Sequence, residues 1–384
     1  MSEQIPMTYD GKTINITRVT INNSNNEGIR LPYVLVVPEN ISENAKLIVS
    51  CSTPESSPRK YDEEIDYLEK NNIYGYAPKY VHKLISVGYP VLFPIIPRFR
   101  GYYSTFLGSQ VRNNDTSELM EWIDDDPEHY THLEKENIDK LKDIDKQVYA
   151  MIGDSKKILE NYTNIDDKVV MSGYSAGSHF ANGFTALHPD IVDMEICGGS
   201  AGLQIQPFTE LKGEKLNYPL GFNDIGSDKL EQYKQVSHYF YMGSEDYNNP
   251  AQIDIKDGEK TAHFSSCYTD KEVDQIDKIY KGIDQQGRFE LNKMIYENLG
   301  IDSSFKKYQG DHKTVQMNEE VTNDVINWVN SKTKKQELIT DKPKVLVNKK
   351  LEYKPNGFTD ALLLALITGF AGGIIIIIML NIIV

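Results

Sequence analysis

The chain has 384 residues, 40% of them apolar, enough for one large α/β domain with appendages. A formal net charge of −15 argues against nucleic acid as a partner, because phosphate binding needs clustered Lys and Arg. Three scattered cysteines, Cys51, Cys197 and Cys267, with no CxxC, supply no disulfide framework or zinc site and fit free thiols in a reducing compartment. The opening MSEQIPMTYDGK has no apolar run, so no secretory signal is expected.

Residues 9–21 and 29–37 are β-rich runs joined by the polar NNSNNEG turn, which predicts a hairpin at a sheet edge. Residues 46–50 (KLIVS) give a third strand, left through Cys51-Ser52-Thr53-Pro54. Residues 76–87 repeat apolar positions at helical spacing and stop at Gly88; residues 89–96 (YPVLFPII) then read as a fourth strand. Strands alternating with helices point to a mostly parallel sheet. From 102 to 136 the pattern dissolves into polar and acidic residues, including Asp124-Asp125-Asp126 and His129 and His132. Their spacing matches no calcium or zinc motif, so a solvated loop or lid edge is expected. Residues 138–162 resume a helical period, with a break expected near Gly153.

Val169-Val170-Met171 is an apolar β-branched run, as in a parallel strand buried on both faces. Gly173-Tyr174-Ser175-Ala176-Gly177 follows, then a helical stretch with Phe180, Phe184 and Leu187 on one stripe. Strand, G-x-S-x-G and helix together form a nucleophile elbow, a turn so tight that small residues must flank the serine. A second match, Gly198-Gly199-Ser200-Ala201-Gly202, follows the strand expected at 191–197. Pro207, Gly213 and Pro219 oppose a long helix after it, so Ser175 is preferred as nucleophile and Ser200 read as a strand end. The stretch to about 234 is irregular. Residues 236–242 (VSHYFYM) read as a strand, 288–299 as an amphipathic helix ended by Gly300, and 305–308 as a last short strand; Val321, Val325, Trp328 and Val329 mark a last helix.

A serine hydroxyl needs a base to take its proton and a third group to fix that base. Of eight histidines only His263 and His312 follow the candidate acid loop, and only His312 leaves a clear strand, in a Gly-x-His turn. His179, four residues after Ser175, reads as a helix-face residue. For the acid, the loop after 236–242 offers Glu245 and Asp246, of which Asp246 fits the commoner geometry. Oxyanion donors are expected from the N–H of Ala176 and from Ser52 or Thr53.

The C-terminus carries twenty uncharged residues, 361–380 (ALLLALITGFAGGIIIIIML), the length that crosses a bilayer core. Lys342, Lys344, Lys349, Lys350 and Lys354 precede it, so the positive-inside rule places the large domain in the cytoplasm. Gly369 and Gly373 form a GxxxG step through which two such helices could pair.

Residues 164–202, NIDDKVVMSGYSAGSHFANGFTALHPDIVDMEICGGSAG, resemble the core of the α/β-hydrolase superfamily, in the branch of polyhydroxybutyrate-depolymerase-like and feruloyl-esterase-like enzymes. The likeness lies in an Asp-Lys-Val strand entering GxSAG, a His-Pro-Asp after the elbow helix and a Gly-Gly-Ser ending the next strand. It extends loosely to 241–246 and 308–312, and so covers about residues 46–329. It implies an α/β-hydrolase fold, a mostly parallel twisted sheet with helices on both faces, and Ser175, Asp246 and His312 as a triad in the chain order of that fold. The chain departs from the family where Cys51-Ser52-Thr53 replace its His-Gly.

The expected organisation is an α/β-hydrolase domain over 1–330, with inserts or lids at 102–136 and 203–235. A Lys-rich linker over 331–357 and a transmembrane tail anchor over 358–384 follow. The expected function is a membrane-anchored serine hydrolase, single-pass with its catalytic domain on the cytoplasmic side. It acts on an ester or related acyl bond of a small-molecule or lipid-like substrate, without cofactor or metal. An inactive hydrolase-fold adaptor at a membrane, and a serine peptidase or acyltransferase using the same triad, are the alternatives.

Overall fold

Strands that are apolar on both faces must be covered on both, and this requirement sets the architecture. The computed structural model describes residues 2–22, 28–43, 45–51, 61–71, 77–96, 140–211, 213–249, 255–256, 259–260 and 270–337. Among these residues a nine-stranded sheet runs in the order β1 (Ser2–Tyr9), β2 (Lys12–Ile21), β3 (Tyr33–Pro38), β5 (Val91–Pro94), β4 (Ile48–Cys51), β6 (Val169–Tyr174), β7 (Val192–Gly198), β10 (Ser237–Gly243), β13 (Ser303–Tyr308). From β5 to β13 every neighbouring pair is parallel, whereas β1, β2, β3 and β5 pair antiparallel. Two short ladders lie apart from it, β8 (Glu210–Leu211) with β9 (Glu214–Lys215) and β11 (Ile255–Lys256) with β12 (Glu259–Lys260). This is the mixed, mostly parallel sheet of an α/β-hydrolase-like fold.

The pleat sends alternate side chains to opposite faces. Val169 and Met171 join a core with α3 (Ile144–Leu159), α4 (Ala176–Leu187), α6 (Asp270–Tyr280) and α7 (Gln285–Asn298). Val170 enters the other core, with α1 (Tyr61–Asn71), α2 (Lys79–Ser86) and α8 (Glu319–Glu337). Every residue of α4 is buried, and the helix carries no Asp, Glu, Lys or Arg. Within 203–235 the chain is largely irregular apart from β8, β9 and α5 (Ser227–Tyr233).

Polar groups also tie the α4 face together. The carboxylate of Glu195 on β7 is fully buried and accepts from Asn182 Nδ2 on α4 at 2.8 Å and from the Cys197 thiol at 2.9 Å. It also meets His238 Nδ1 on β10 at 3.0 Å. Asn182 donates to the Tyr233 hydroxyl as well, which pairs with Tyr296 of α7 at 2.8 Å. One carboxylate therefore links two strands and the helix behind the elbow, and the amide and hydroxyls carry the network on to α5 and α7.

Three expectations change. α3 runs unbroken through Gly153, which lies on the exposed side of the helix, where a missing side chain costs only about 1 kcal/mol. α8 continues to Glu337, past the expected linker start at 331. Among the described residues no helix is long and apolar enough to cross a membrane. The expected C-terminal transmembrane helix is therefore not among the described elements. The tail anchor, the membrane as partner, the single-pass location with a cytoplasmic catalytic domain, and pairing through Gly369 and Gly373 all depended on that helix and are not carried forward. Residues 358–384 lie outside the described residues, as do 102–136.

Removing the shared acceptor should cost more than any single surface change. Glu195→Ala strands a buried amide and imidazole and is expected to destabilise the protein by roughly 3–5 kcal/mol. The urea midpoint of tryptophan fluorescence checks it.

Candidate active site

The parallel strands β6, β10 and β13 end at the same edge of the sheet, and each delivers one polar side chain there. Ser175 follows β6 at φ +54° and ψ −125°, a backbone setting that residues with a Cβ rarely adopt. It is pinned from both sides: its N–H donates to Gly198 O at 2.8 Å, and its carbonyl accepts from Ser178 N at 2.9 Å and from Ser178 Oγ at 2.6 Å. The turn closes so tightly that a Cβ on Gly173 would lie 2.1 Å from the carbonyl oxygen of Gly177. Glycine at 173 is a steric requirement of the elbow.

Asp246 follows β10 and His312 follows β13, and the two loops are laced together. Ser244 N donates to Tyr308 O at 2.7 Å and Glu245 N to Gly310 O at 3.0 Å. A Cβ on Gly243 would meet Gly310 O at 2.2 Å, so the crossing needs glycine on the acid side. From the first turn of α7, Gln286 Nε2 donates to Gly243 O at 2.9 Å and to Asp246 O at 3.0 Å.

The three side chains meet. His312 Nε2 lies 2.9 Å from Ser175 Oγ, and His312 Nδ1 lies 2.8 Å from Asp246 Oδ2. The Asp246 side chain is 1% exposed and that of His312 23%, so the acid is buried while the imidazole is partly open to solvent. Ala176 opens α4, and its N–H is one of the donors that a helix leaves without an internal partner. Such a set can perform serine-hydrolase chemistry: proton removal from a hydroxyl, attack on an acyl carbon, and stabilisation of the resulting oxyanion.

The remaining sequence candidates fall elsewhere. Ser200 is buried and its hydroxyl accepts from Gln204 Nε2 at 2.8 Å. Glu245 is exposed. Ser52, Thr53 and His263 lie outside the described residues, as does the acidic 124–132 stretch. Among the described residues no group of three His, Cys, Asp or Glu could hold a metal ion. The sequence reading passed over Tyr174, whose hydroxyl donates to the carbonyl oxygen of His312, and Gln286, which holds the acid loop. Their only signals were position, inside the elbow and in the first turn of a helix.

No family model matches the sequence, and no curated protein matches it. In structure the chain resembles hydrolases at low identity over most of its length. One is poly(aspartic acid) hydrolase-1 from Sphingomonas sp. KT-1, at 12% identity and a TM-score of 0.43, covering 84% of this chain and 97% of that one. Another is a poly(3-hydroxybutyrate) depolymerase from Bordetella parapertussis, at 12% identity and a TM-score of 0.40, covering 81% and 84%. A ferulic acid esterase matches at 11% identity and a TM-score of 0.40, covering 87% and 98%.

His179 sits one helical turn below Ser175 and is buried. Burial lowers its pKa from 6.5 to about 4, and the nearby His312 and Arg288 push the same way. Between these values the unfolded chain binds a proton that the folded chain refuses. The contribution of His179 is therefore complete above about pH 6.5, falls as the pH drops towards about 4, and totals on the order of 3 kcal/mol. His179→Leu is expected to flatten this part of the stability profile, measured as urea midpoint against pH.

Proposed function

We propose that the protein is a serine hydrolase that cleaves an ester or related acyl bond through an acyl-Ser175 intermediate. The observation that carries this reading is the unbroken relay from Ser175 Oγ through the imidazole of His312 to the buried carboxylate of Asp246. A weakly acidic hydroxyl becomes a nucleophile when its proton has a base at hydrogen-bond distance.

In the proposed cycle Ser175 Oγ attacks the acyl carbon while His312 Nε2 takes its proton. Asp246 holds Nδ1–H, fixes the tautomer and stabilises the imidazolium. The N–H of Ala176, at the positive end of α4, receives the developing oxyanion. A second donor is assigned to Ser52 or Thr53, in the segment that leaves β4 after Cys51. His312 then returns the proton to the leaving group as the acyl C–O bond breaks. A water molecule deprotonated by His312 attacks the acyl-enzyme, the carboxylic acid leaves and Ser175 recovers its proton.

The test is covalent. A fluorophosphonate probe is expected to label the wild type at Ser175, with labelling lost in Ser175→Ala and slowed at least about 1,000-fold in His312→Ala. Equal labelling of Ser175→Ala and wild type overturns the reading. p-Nitrophenyl esters of graded chain length then rank the acyl groups by kcat/KM.

A further inference from the structure

Tyr174 occupies the variable position of the elbow between Gly173 and Ser175. The pleat turns its side chain into the core opposite α4, beneath the loop that carries His312. There its hydroxyl donates to the carbonyl oxygen of His312, and its ring centroid lies 5.2 Å from that of the imidazole at an interplanar angle of 38°. The phenol is buried, and burial pushes its pKa far up, with Asp246 and Asp311 adding to the rise, so it remains a neutral donor.

The ring is packed in place. Tyr241 backs it at 5.9 Å between centroids and is itself set edge-on against Tyr80 at 6.2 Å. On another side the chain passes at Gly199, φ +64°, where a Cβ would stand 2.8 Å from Tyr174 Cζ and 3.0 Å from His312 Cε1. Phenol and imidazole therefore share a slot that only glycine leaves open. The rest of the histidine turn is tied through Asp311, whose Oδ1 accepts from Lys313 N at 3.0 Å and from Thr314 N at 2.8 Å. Those bonds fix the residues beyond the histidine, whereas Tyr174 grips His312 itself.

We propose that Tyr174 is a positioning residue for the base: its hydroxyl and ring hold His312 so that Nε2 faces Ser175 while Nδ1 stays on Asp246. Because Tyr174 and Ser175 are adjacent at one strand end, base and nucleophile are located against the same short piece of backbone. Small misplacements of a reacting group are costly in rate, so such a shared reference would act on the chemical step and not on binding. The inference rests on the reading of Ser175 as nucleophile given above.

The experiment follows phosphonylation of the full chain by a fluorophosphonate under saturating conditions, together with the downfield proton NMR resonance of the His312–Asp246 hydrogen bond. Tyr174→Phe is expected to keep its cooperative thermal transition and to lower the limiting rate roughly three- to tenfold. The half-saturating concentration should stay unchanged, and the downfield resonance should shift or broaden. Para-aminophenylalanine at 174, which restores a donor, is expected to recover most of the rate. An unchanged rate, an unchanged resonance, or an effect confined to the half-saturating concentration overturns the proposal. If Tyr174→Phe does not fold, para-amino- and para-methylphenylalanine at 174 keep the ring size and make the same comparison, with equal rates overturning it. Ser175→Ala run in parallel separates the failures: if it still reacts, the hydrolase reading is wrong, and if it is silent while Tyr174→Phe matches wild type, only the positioning role falls.

Discussion

Ser175 is held in a backbone conformation that costs on the order of 1–3 kcal/mol, and the rest of the molecule is arranged so that it cannot relax. Relaxation would have to break its N–H bond to the end of β7, lift α4 off Gly173, or both. Neither is local, because α4 is wholly buried and is joined through Asn182 to the carboxylate of Glu195. Strain at one residue is thus carried by the cooperative stability of the sheet and the helix behind it.

The two faces of the sheet do different work. Behind the elbow helix, amide, carboxylate, imidazole and phenol groups bond to one another and fix the helix laterally. On the opposite face a tier of aromatic rings, Tyr80, Tyr241, Tyr174 and Tyr239, rises towards the histidine loop. Parallel strands make this possible: β6, β10 and β13 all finish at one edge, so His312 reaches the hydroxyl of Ser175 across 137 positions of the chain and meets Asp246 across 66.

The central strands were legible because their apolar runs and glycine stops are short-range signals, and so was the elbow, whose Gly173 is dictated by sterics. The convergence of Ser175, Asp246 and His312 could be argued only from which loop leaves which strand. Other features were harder to read. The hairpin between β1 and β2 turns at Asp10-Gly11, both at positive φ, a signal that the continuous β-rich run concealed. α7 begins three residues earlier than its apolar period suggests, because Asp284 caps it by accepting from Gly287 N at 2.8 Å. Glu195 carries no local signal of its role, since a buried carboxylate is recognised only by partners that are distant in sequence. Tyr174 had no pattern at all, because its partner is a main-chain oxygen on another loop.

The outermost strands of the sheet, β1 and β13, bear on how the molecule meets copies of itself. β1 places Pro6, which lacks an N–H, and Glu3 along its length, and β13 exposes Lys306 and Lys307 side by side. A further strand approaching either margin would meet a missing donor on one side and two lysines, one of them paired with Glu290, on the other. Growth of the sheet by stacking molecule onto molecule is thereby discouraged at both ends.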